Sequence, residues 1–442
     1  MPKATEQRLP ASLKISRILH AGYVFEAGGH RILFDPIFEN PFSRNCFAFP
    51  SVRFNVEEIR KIQFSAVFIS HFHDDHCSLD SLNLLDRSVL IFLYCIHSEL
   101  FVLIRELGFH NVNKLELGVA VVIGEFKVIA QRAFEPEIDS ILEIHVAGLK
   151  VLNVVDALMD AQTLAHLSTE GPWDIVLWPF QTMLETSVLA PSRRQVDHAS
   201  IPPEWTCELG RLKPRYVVPS SCQFVHENWS WYNHAMFPIS YKDFACAIEL
   251  ALPETQVVRM NPSVSIVLDR SELRPAPALS WVLPEGPQDV DYDYQPGAIP
   301  LAVSEIAMKC GFTSRENFAK VVSFCEGELL GRYRQLEISS YFSRERIWRL
   351  SIYDGGGEKT DFHYRIRGTF IERIFDSPEH LGWFTEVPAA KLYAALDLGE
   401  TLTSMYLRVN DHVFSATVEH DLSDFEVLED PLIRVLFNTH SF

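Results

Sequence analysis

Short apolar runs separated by turn residues make up most of residues 13–270 and predict alternating strands and helices. The stretch YVFEAGGHRILFDP predicts a β-hairpin, because two strand-like runs flank a Gly-Gly turn. The run FSAVFIS, from Phe64 to Ser70, is almost continuously apolar and predicts a buried strand. The spacing of apolar residues in SELFVLIRELGF and YKDFACAIELAL predicts helices. The other strand-like stretches are AVVIGEFKVIAQRAF, SILEIHVAGLKVLNVVDA, WDIVLWPF and RYVVPSS.

The pattern changes after residue 270. Residues 271–300 are rich in Pro and Gly and show no periodicity, which predicts a linker or a long wrapping segment. Residues 301–442 mix helical patterns such as PAAKLYAALDLGE with strands such as DFHYRIRGTFIERIF. A chain of 442 residues accommodates two or three domains. We therefore predict a first domain over residues 13–270 and an additional C-terminal α+β region over residues 301–442.

The charge balance narrows the classes of partner. The chain has 39 Lys and Arg against 58 Asp and Glu, a formal net charge of −19. This excess of acid disfavours nucleic acid, because affinity for nucleic acid rests on Lys and Arg neutralising phosphates. It also disfavours an anionic membrane surface. The stretch from Leu301 to Val322 resembles a helix-turn-helix, but with so few basic residues around it a structural helix pair is the better interpretation.

Cysteine usage and hydropathy predict a location. The eight cysteines are scattered without a Cys-x-x-Cys pair, which is typical of free cytosolic thiols rather than of a disulfide framework. No run of eighteen apolar residues occurs, so no transmembrane helix is expected. We therefore expect a cytoplasmic protein.

The strongest chemical signal directly follows the strand that ends at Ser70. Residues 71–76 read HFHDDH, so four candidate metal ligands, His71, His73, Asp75 and His76, lie within six positions. Imidazoles and carboxylates bind divalent transition metals, and α/β sheets place sites at the ends of strands. Alternate residues of an extended loop point the same way, so His71 and His73 can face one metal while Asp75 and His76 face a second.

This cluster resembles the dinuclear-metal loop of the metallo-β-lactamase superfamily, and ILHAGYVFEAGGHRILFDPIF resembles its opening hairpin. The resemblance covers residues 13–270 and implies an α/β protein with an αβ/βα sandwich and metals between loops at one edge. It also implies a structural role for Asp35 and a place beneath the site for His20, neither as a direct ligand.

The resemblance implies further ligands in the second half of the domain. Asp156, at the end of LKVLNVVD, corresponds to the bridging aspartate. The family also places a histidine one hairpin upstream, and counting back 156 − 135 = 21 positions reaches Glu135, with Glu137 as the alternative. His145 lies in the middle of a strand and is a poor substitute. A carboxylate in place of an imidazole favours iron over zinc, because anionic oxygen ligands stabilise the higher oxidation states. In this respect the chain resembles the diiron oxygenase branch, which includes hydroxylases of antibiotic biosynthesis.

The last ligand has the weakest signal. The lactonase-like branch has a histidine at the strand end where this chain has Ser221. We predict that His234 supplies the ligand instead, with His226 as the alternative and His198 as a more distant candidate. The stretches PSSCQF and FPISYKDF also resemble CMP-N-acetylneuraminate hydroxylase-like proteins, although this chain lacks their Rieske motif. That likeness implies a shared scaffold and not a shared reaction.

These expectations describe a non-heme diiron monooxygenase that hydroxylates a small organic substrate, with O₂ and with electrons from a separate reductase. The alternative is a dizinc hydrolase of an ester, a lactone or a phosphodiester. A third hypothesis is a regulator that binds DNA through the C-terminal helix pair, but the net charge of the chain disfavours it. The predicted centre has one metal on His71, His73 and Glu135, a second metal on Asp75, His76 and His234, and Asp156 as the bridge.

Overall fold

The computed structural model describes residues 12–193, 201–376, 380–411 and 427–437, which form two compact units. The first unit takes the described parts of 1–182, 199–228 and 239–293, and the second takes those of 183–198, 229–238 and 294–442. Two short stretches that precede residue 270 thus group with the second unit. One of them carries Leu189, which packs in that unit's hydrophobic core.

The first unit contains an eight-stranded sheet and a seven-stranded sheet, both with parallel and antiparallel pairs. In sheet order, the first has β18 (Leu273–Ala276), β17 (Ser265–Leu268), β1 (Leu13–Arg17), β2 (Tyr23–Ala27), β3 (His30–Phe34), β6 (Ala66–Ile69), β7 (Leu90–Leu93) and β8 (Val112–Lys114). The second has β16 (Gln256–Val257), β14 (Pro214–Pro219), β13 (Trp173–Trp178), β12 (Leu149–Asn153), β11 (Ser140–Val146), β10 (Phe126–Arg132) and β9 (Ala120–Ile123). Two short pairs complete the set, β4 (Phe47–Ala48) with β15 (Phe224–Val225) and β5 (Val52–Phe54) with β19 (Val282–Pro284).

The helices of the first unit are α1 (Val56–Ile59), α2 (Leu79–Leu82), α3 (Ser98–Glu106), α4 (Ala161–Glu170), α6 (Pro203–Leu212) and α8 (Tyr241–Ala251). One hydrophobic core joins apolar side chains of both sheets, such as Phe25 and Phe68 from the first and Leu142 and Val151 from the second. This arrangement confirms the predicted sandwich fold.

The predicted hairpin is formed by β2 and β3, whose closing pair is Ala27 and His30. Gly28 and Gly29 lie between them with φ of 56° and 81°, a left-handed conformation that residues with a Cβ rarely adopt. The segment after residue 270 supplies β18 and β19 to the first unit. Part of the predicted linker therefore forms strands that pair with that unit.

The second unit carries a five-stranded sheet and further helices, which confirms the predicted C-terminal region. In sheet order its strands are β22 (Phe370–Ile374), β21 (Lys359–Arg367), β20 (Arg346–Tyr353), β23 (Trp383–Pro388) and β24 (Arg408–Val409). Its helices are α5 (Glu185–Leu189), α7 (Tyr232–Ala235), α9 (Val303–Cys310), α10 (Arg315–Ser323), α11 (Leu329–Tyr333), α12 (Ala389–Asp397) and α13 (Pro431–Phe437), with a π-helical turn at Phe324–Glu328. None of the helices in the described parts of the chain combines the length and the apolar character needed to span a membrane.

The second unit contains a buried carboxylate, that of Asp430. Asp430 is fully buried, and its Oδ2 accepts hydrogen bonds from Trp383 Nε1 at 2.7 Å and from the Thr385 hydroxyl. Its Oδ1 accepts the amides of Leu432 at 2.9 Å and Ile433 at 3.1 Å, in the first turn of the helix that follows. Both oxygens are therefore acceptors, as a carboxylate requires.

We expect Asp430→Asn to lower the free energy of unfolding by about 1–3 kcal/mol, because the new amide N–H₂ faces a donor in either orientation. The measurement is urea unfolding followed by tryptophan fluorescence. Asp397→Asn is the matched control, since it affects only the partly exposed contacts of Asp397 with Lys320 and Tyr393 and should cost less than about 1 kcal/mol. Equal losses in the two variants would contradict this prediction.

Candidate metal centre

The candidate ligands lie on loops at the ends of strands from both sheets. The loop that starts at Ser70 follows β6, and Asp156 lies three residues beyond β12. Asp139 directly precedes β11, the antiparallel neighbour of β12. The Ser140 hydroxyl donates a 2.7 Å hydrogen bond to the Ser70 carbonyl, which ties the two sheets together at this edge.

The first of two clusters consists of His71, His73 and Asp139, whose ligand atoms lie within 4.8 Å of one another. His71 Nε2 is 3.0 Å from His73 Nδ1 and 3.7 Å from Asp139 Oδ1. Ligands of a four-coordinate metal at about 2.0–2.1 Å stand roughly 3.3 Å apart, so this separation suits a metal ion.

The second cluster consists of His20, Asp75, His76 and Asp156. His76 Nε2 is 3.1 Å from Asp156 Oδ2 and 3.7 Å from Asp75 Oδ2. His20 Nε2 is 3.2 Å from both His76 Nε2 and Asp75 Oδ2. Four potential ligand atoms thus converge at a second point.

Asp156 connects the two clusters. Its Oδ2 faces His76, while its Oδ1 is 3.9 Å from His71 Nε2. Oδ1 is buried and has no hydrogen-bond partner among the described residues, which is costly for a carboxylate oxygen unless a cation binds it. One oxygen toward each cluster is the arrangement that a bridging ligand needs, so the residues present fit a pair of metal ions.

The buried carboxylate of Asp35 orients the ligand histidines. Asp35 Oδ2 accepts from His76 Nδ1 at 3.1 Å and from the Ser70 hydroxyl at 2.7 Å, and Oδ1 accepts from the Ser70 amide at 2.7 Å. Because the Ser70 hydroxyl proton points to Asp35, its oxygen accepts from His71 Nδ1 at 3.0 Å. Both imidazoles therefore carry their proton on Nδ1, which leaves each Nε2 lone pair for a metal.

The electrostatics of the clusters favour a cation. Burial lowers the pKa of His71 to about 3, so its ring is neutral and able to bind metal. Burial opposes a charge on His76, but Asp156 and Asp75 raise its pKa well above the usual range. Burial, and then Asp156, raise the pKa of Asp139 to about 7. A site that stabilises positive charge on one imidazole is suited to divalent cations.

The structure groups Asp139, and not Glu135, with the histidines of the first cluster. The Glu135 carbonyl accepts the amides of Ile138 at 3.0 Å and Asp139 at 2.9 Å, so the chain turns between residues 135 and 139. This turn brings Asp139 to His71, while Glu135 and Glu137 are exposed. The assignment of Glu135 as a ligand stays a prediction.

The predicted last ligand, His234, lies in α7 and belongs to the second unit. The alternative, His226, is buried in the first unit with its ring 5.7 Å from that of Phe224, and neither histidine is part of a cluster. His198 lies outside the described residues. Ser221, where the related branch has a histidine, is fully buried and donates its hydroxyl to the Val155 carbonyl at 2.5 Å.

Sequence reasoning did not propose two of the residues in the clusters as ligands. Asp139 directly precedes a strand, and this position could have marked it as a candidate ligand. The count back from Asp156 led to Glu135 instead. His20 follows β1 in a left-handed conformation, with φ of 49°, and the sequence contains no sign of its partners.

Comparisons with known proteins found a matching family model and distant relatives. Residues 14–220 match the family model described as Beta-lactamase superfamily domain. A cytidine monophosphate-N-acetylneuraminic acid hydroxylase of Danio rerio is 25% identical over 163 residues, which are 35% of this chain. The match spans 27% of that hydroxylase, so it covers about a quarter of the relative's length.

Two solved structures are also similar. Igni18, a metallo hydrolase from the archaeon Ignicoccus hospitalis, is 18% identical with a TM-score of 0.42, over 58% of this chain and 99% of that one. CmlA, a diiron β-hydroxylase from Streptomyces venezuelae, is 13% identical with a TM-score of 0.39, over 61% of this chain and 55% of that one.

The two-sheet sandwich with a His-x-His-x-Asp-His loop at one edge defines a class of metal-binding proteins. Together with the family match, it shows that residues 14–220 form a metallo-β-lactamase superfamily domain. The predicted resemblance to that superfamily is therefore confirmed. The weaker similarity to a CMP-N-acetylneuraminic acid hydroxylase is confirmed as well.

We expect Asp35→Asn to weaken binding of the second metal by about 10–100-fold. The new amide N–H₂ would face donors, so His76 would turn its Nδ1 into an acceptor and place its proton on Nε2. The measurement is chelator competition with Zn²⁺. Asp74→Asn is the control, because Asp74 is exposed and contacts the Ser43 hydroxyl. Wild-type affinity in the Asp35 variant would contradict the tautomer assignment.

A second prediction concerns pH in chelator-treated protein. The pKa of Asp139 rises from its usual value to about 7 on folding, so its stabilising contribution is complete below about pH 4 and lost as pH rises through 7. Asp139→Asn cannot ionise. We therefore expect it to gain free energy of unfolding relative to the wild type between pH 4 and pH 8.

Urea unfolding at several pH values measures this difference. Glu137→Gln is the matched control, because the Glu137 side chain is exposed, and its difference from the wild type should stay nearly constant with pH. A wild type and an Asp139 variant with parallel pH profiles would argue against the burial of an ionisable Asp139.

Proposed function

We propose that this protein is a non-heme diiron monooxygenase that hydroxylates a small organic substrate. The observation that carries the proposal is the mixed set of candidate ligands, in which three carboxylates stand among four imidazoles. The set consists of His20, His71, His73, His76, Asp75, Asp139 and Asp156. Anionic oxygen ligands favour iron in its higher oxidation states, whereas zinc sites of hydrolases are richer in histidine.

In this proposal, His71, His73 and Asp139 would hold one iron and Asp75 and His76 would hold the other, with Asp156 placed between the two clusters. Two irons bound there supply the activation of O₂. The reaction balances as R–H + O₂ + two electrons + two protons → R–OH + H₂O. One oxygen atom enters the substrate, and the other leaves as water.

Apolar side chains on the loops of the candidate ligands bear on the kind of substrate that the site would accept. Phe134 and Leu158 stand on the loops that carry Asp139 and Asp156, joined by a 2.8 Å hydrogen bond from the Phe134 amide to the Leu158 carbonyl. Their side chains are 59% and 61% exposed, so they offer apolar surface close to the carboxylates. This surface supports a substrate with an apolar or aromatic group.

The proposed partner is an external reductase, because the reaction consumes two electrons. We place the enzyme in the cytoplasm, where a reducing environment suits eight cysteines that form no disulfide among the described residues. Neither a nucleic acid nor a membrane is part of the proposal.

The second candidate is a dizinc hydrolase of an ester, a lactone or a phosphodiester. It is supported by the neutral imidazole of His71 and by the Nε2 lone pairs that the Asp35 network leaves available, because zinc binds the same nitrogens. A metal-activated water would then be the nucleophile.

Metal content and redox behaviour distinguish the two candidates. For protein produced with iron and zinc both available, we expect two irons per chain and O₂ uptake by the dithionite-reduced protein. Two zincs per chain, no O₂ uptake and hydrolysis of 4-nitrophenyl esters or bis(4-nitrophenyl) phosphate would overturn the proposal in favour of the hydrolase.

Two matched variants test the carboxylate that decides the metal. Asp139→His should shift the preference toward zinc, while Glu135→His should leave iron loading unchanged, because Glu135 is exposed. The opposite pattern would restore Glu135 as the ligand and remove Asp139 from the centre.

A further inference from the structure

His20 stands at the second cluster in a position that allows two different roles. Its Nε2 is 3.2 Å from Asp75 Oδ2 and 3.2 Å from His76 Nε2. It could therefore be a further ligand of the second metal, or it could be a hydrogen-bond donor to a ligand. The other ring nitrogen decides between these roles.

The backbone amide of Cys222 donates a 3.1 Å hydrogen bond to His20 Nδ1. An amide N–H can only donate, so Nδ1 must present its lone pair. A neutral imidazole with an acceptor on Nδ1 carries its proton on Nε2. His20 Nε2 therefore has no lone pair for a metal, in contrast to the Nε2 atoms of His71 and His76, whose protons lie on Nδ1.

The surrounding structure holds the His20 ring in this orientation. The buried guanidinium of Arg17 binds the carbonyls of His20 and Ser220, and that of Pro219 at 2.8 Å. This joins the loop that carries the ring to the loop that carries Cys222. A flip of the ring would bring Cδ2–H against the Cys222 N–H and leave that amide without its acceptor.

Aromatic side chains enclose the same ring. The His20 ring is 1% exposed, and its centroid lies 5.4 Å from that of Phe42 and 6.1 Å from that of Phe224. Neither aromatic ring offers a hydrogen-bond acceptor lone pair. The acceptors within 3.2 Å of Nε2 are therefore Asp75 Oδ2 and His76 Nε2, and a metal bound by the His76 lone pair would leave the Asp75 carboxylate as the acceptor.

We propose that His20 is a positioning residue and not a metal ligand. Its Nε2–H donates to Asp75 Oδ2 and so fixes the orientation of the Asp75 carboxylate beside the second metal position. The Ser221 hydroxyl already donates to the Val155 carbonyl. Within the described first unit, the ligands of the second metal would then be Asp75, His76 and Asp156. A four-coordinate ion held by these three residues would have one further position for an exogenous ligand.

This inference rests on the two-metal site of the proposed function, but not on the identity of the metals. It is therefore tested with Co²⁺, whose visible absorption reports the coordination of each site, and not with hydroxylation. Failure of the oxygenase proposal would leave the result intact.

The test compares three variants. His20→Gln keeps an N–H donor near the position of Nε2, His20→Met fills the same space without a donor, and His76→Gln removes a ligand. Co²⁺ affinity is measured by chelator competition, with circular dichroism as the check on folding.

We expect His20→Gln to bind the second Co²⁺ with a wild-type spectrum. We expect His20→Met to bind the second Co²⁺ about 10–100-fold more weakly, with the first site unchanged. The proposal is overturned if His20→Gln loses the second metal as fully as His76→Gln, which would make His20 a ligand. It is also overturned if His20→Met keeps wild-type affinity.

The wild-type protein provides an independent readout in case His20→Met does not fold. Pulsed electron paramagnetic resonance counts the imidazole nitrogens bound to a paramagnetic metal. One imidazole at the second site, from His76, agrees with the proposal, and two would overturn it.

Discussion

The buried carboxylate of Asp35 is the constraint on which both halves of the metal centre depend. It accepts the Nδ1 proton of His76 directly and that of His71 through the Ser70 hydroxyl. Without a buried acceptor in this place, each imidazole could carry its proton on Nε2, and the lone pairs that converge on the clusters would be lost. Asp35 has φ of 40°, which turns its side chain back toward the end of β6.

The packing of the two sheets supplies the other half of the centre. The Ser140 hydroxyl binds the Ser70 carbonyl, so the strand that starts after Asp139 is tied to the loop that begins with His71. Asp156 arrives from the same second sheet and places one oxygen at each cluster. Because three carboxylates then meet in one buried region, the site needs positive charge, and divalent cations provide it.

Much of the fold and part of the site followed from local patterns. The Gly-Gly hairpin, the buried strand before Ser70 and the ligand spacing of the loop that follows depend on residues close together in sequence. The position of Asp139 did not follow from a local pattern, because counting residues back from Asp156 assumes that the chain takes an extended path. The chain instead turns at Glu135, whose carbonyl accepts two amides, and this turn carries Asp139 to His71. The tautomer of His20 lacked a signal for a similar reason, since the amide that sets it lies 202 residues away.

The sequence by itself determined the strand-rich first domain and the His-x-His-x-Asp-His loop, because each is set by side-chain chemistry or by short-range periodicity, while the sandwich topology followed from the resemblance to the superfamily. Only the tertiary structure decided which carboxylate completes the first cluster and which histidine nitrogens keep their lone pairs. Those outcomes depend on single hydrogen bonds between loops far apart in the chain. A tautomer reflects which donor or acceptor reaches the other ring nitrogen, and the packing of the two sheets determines that.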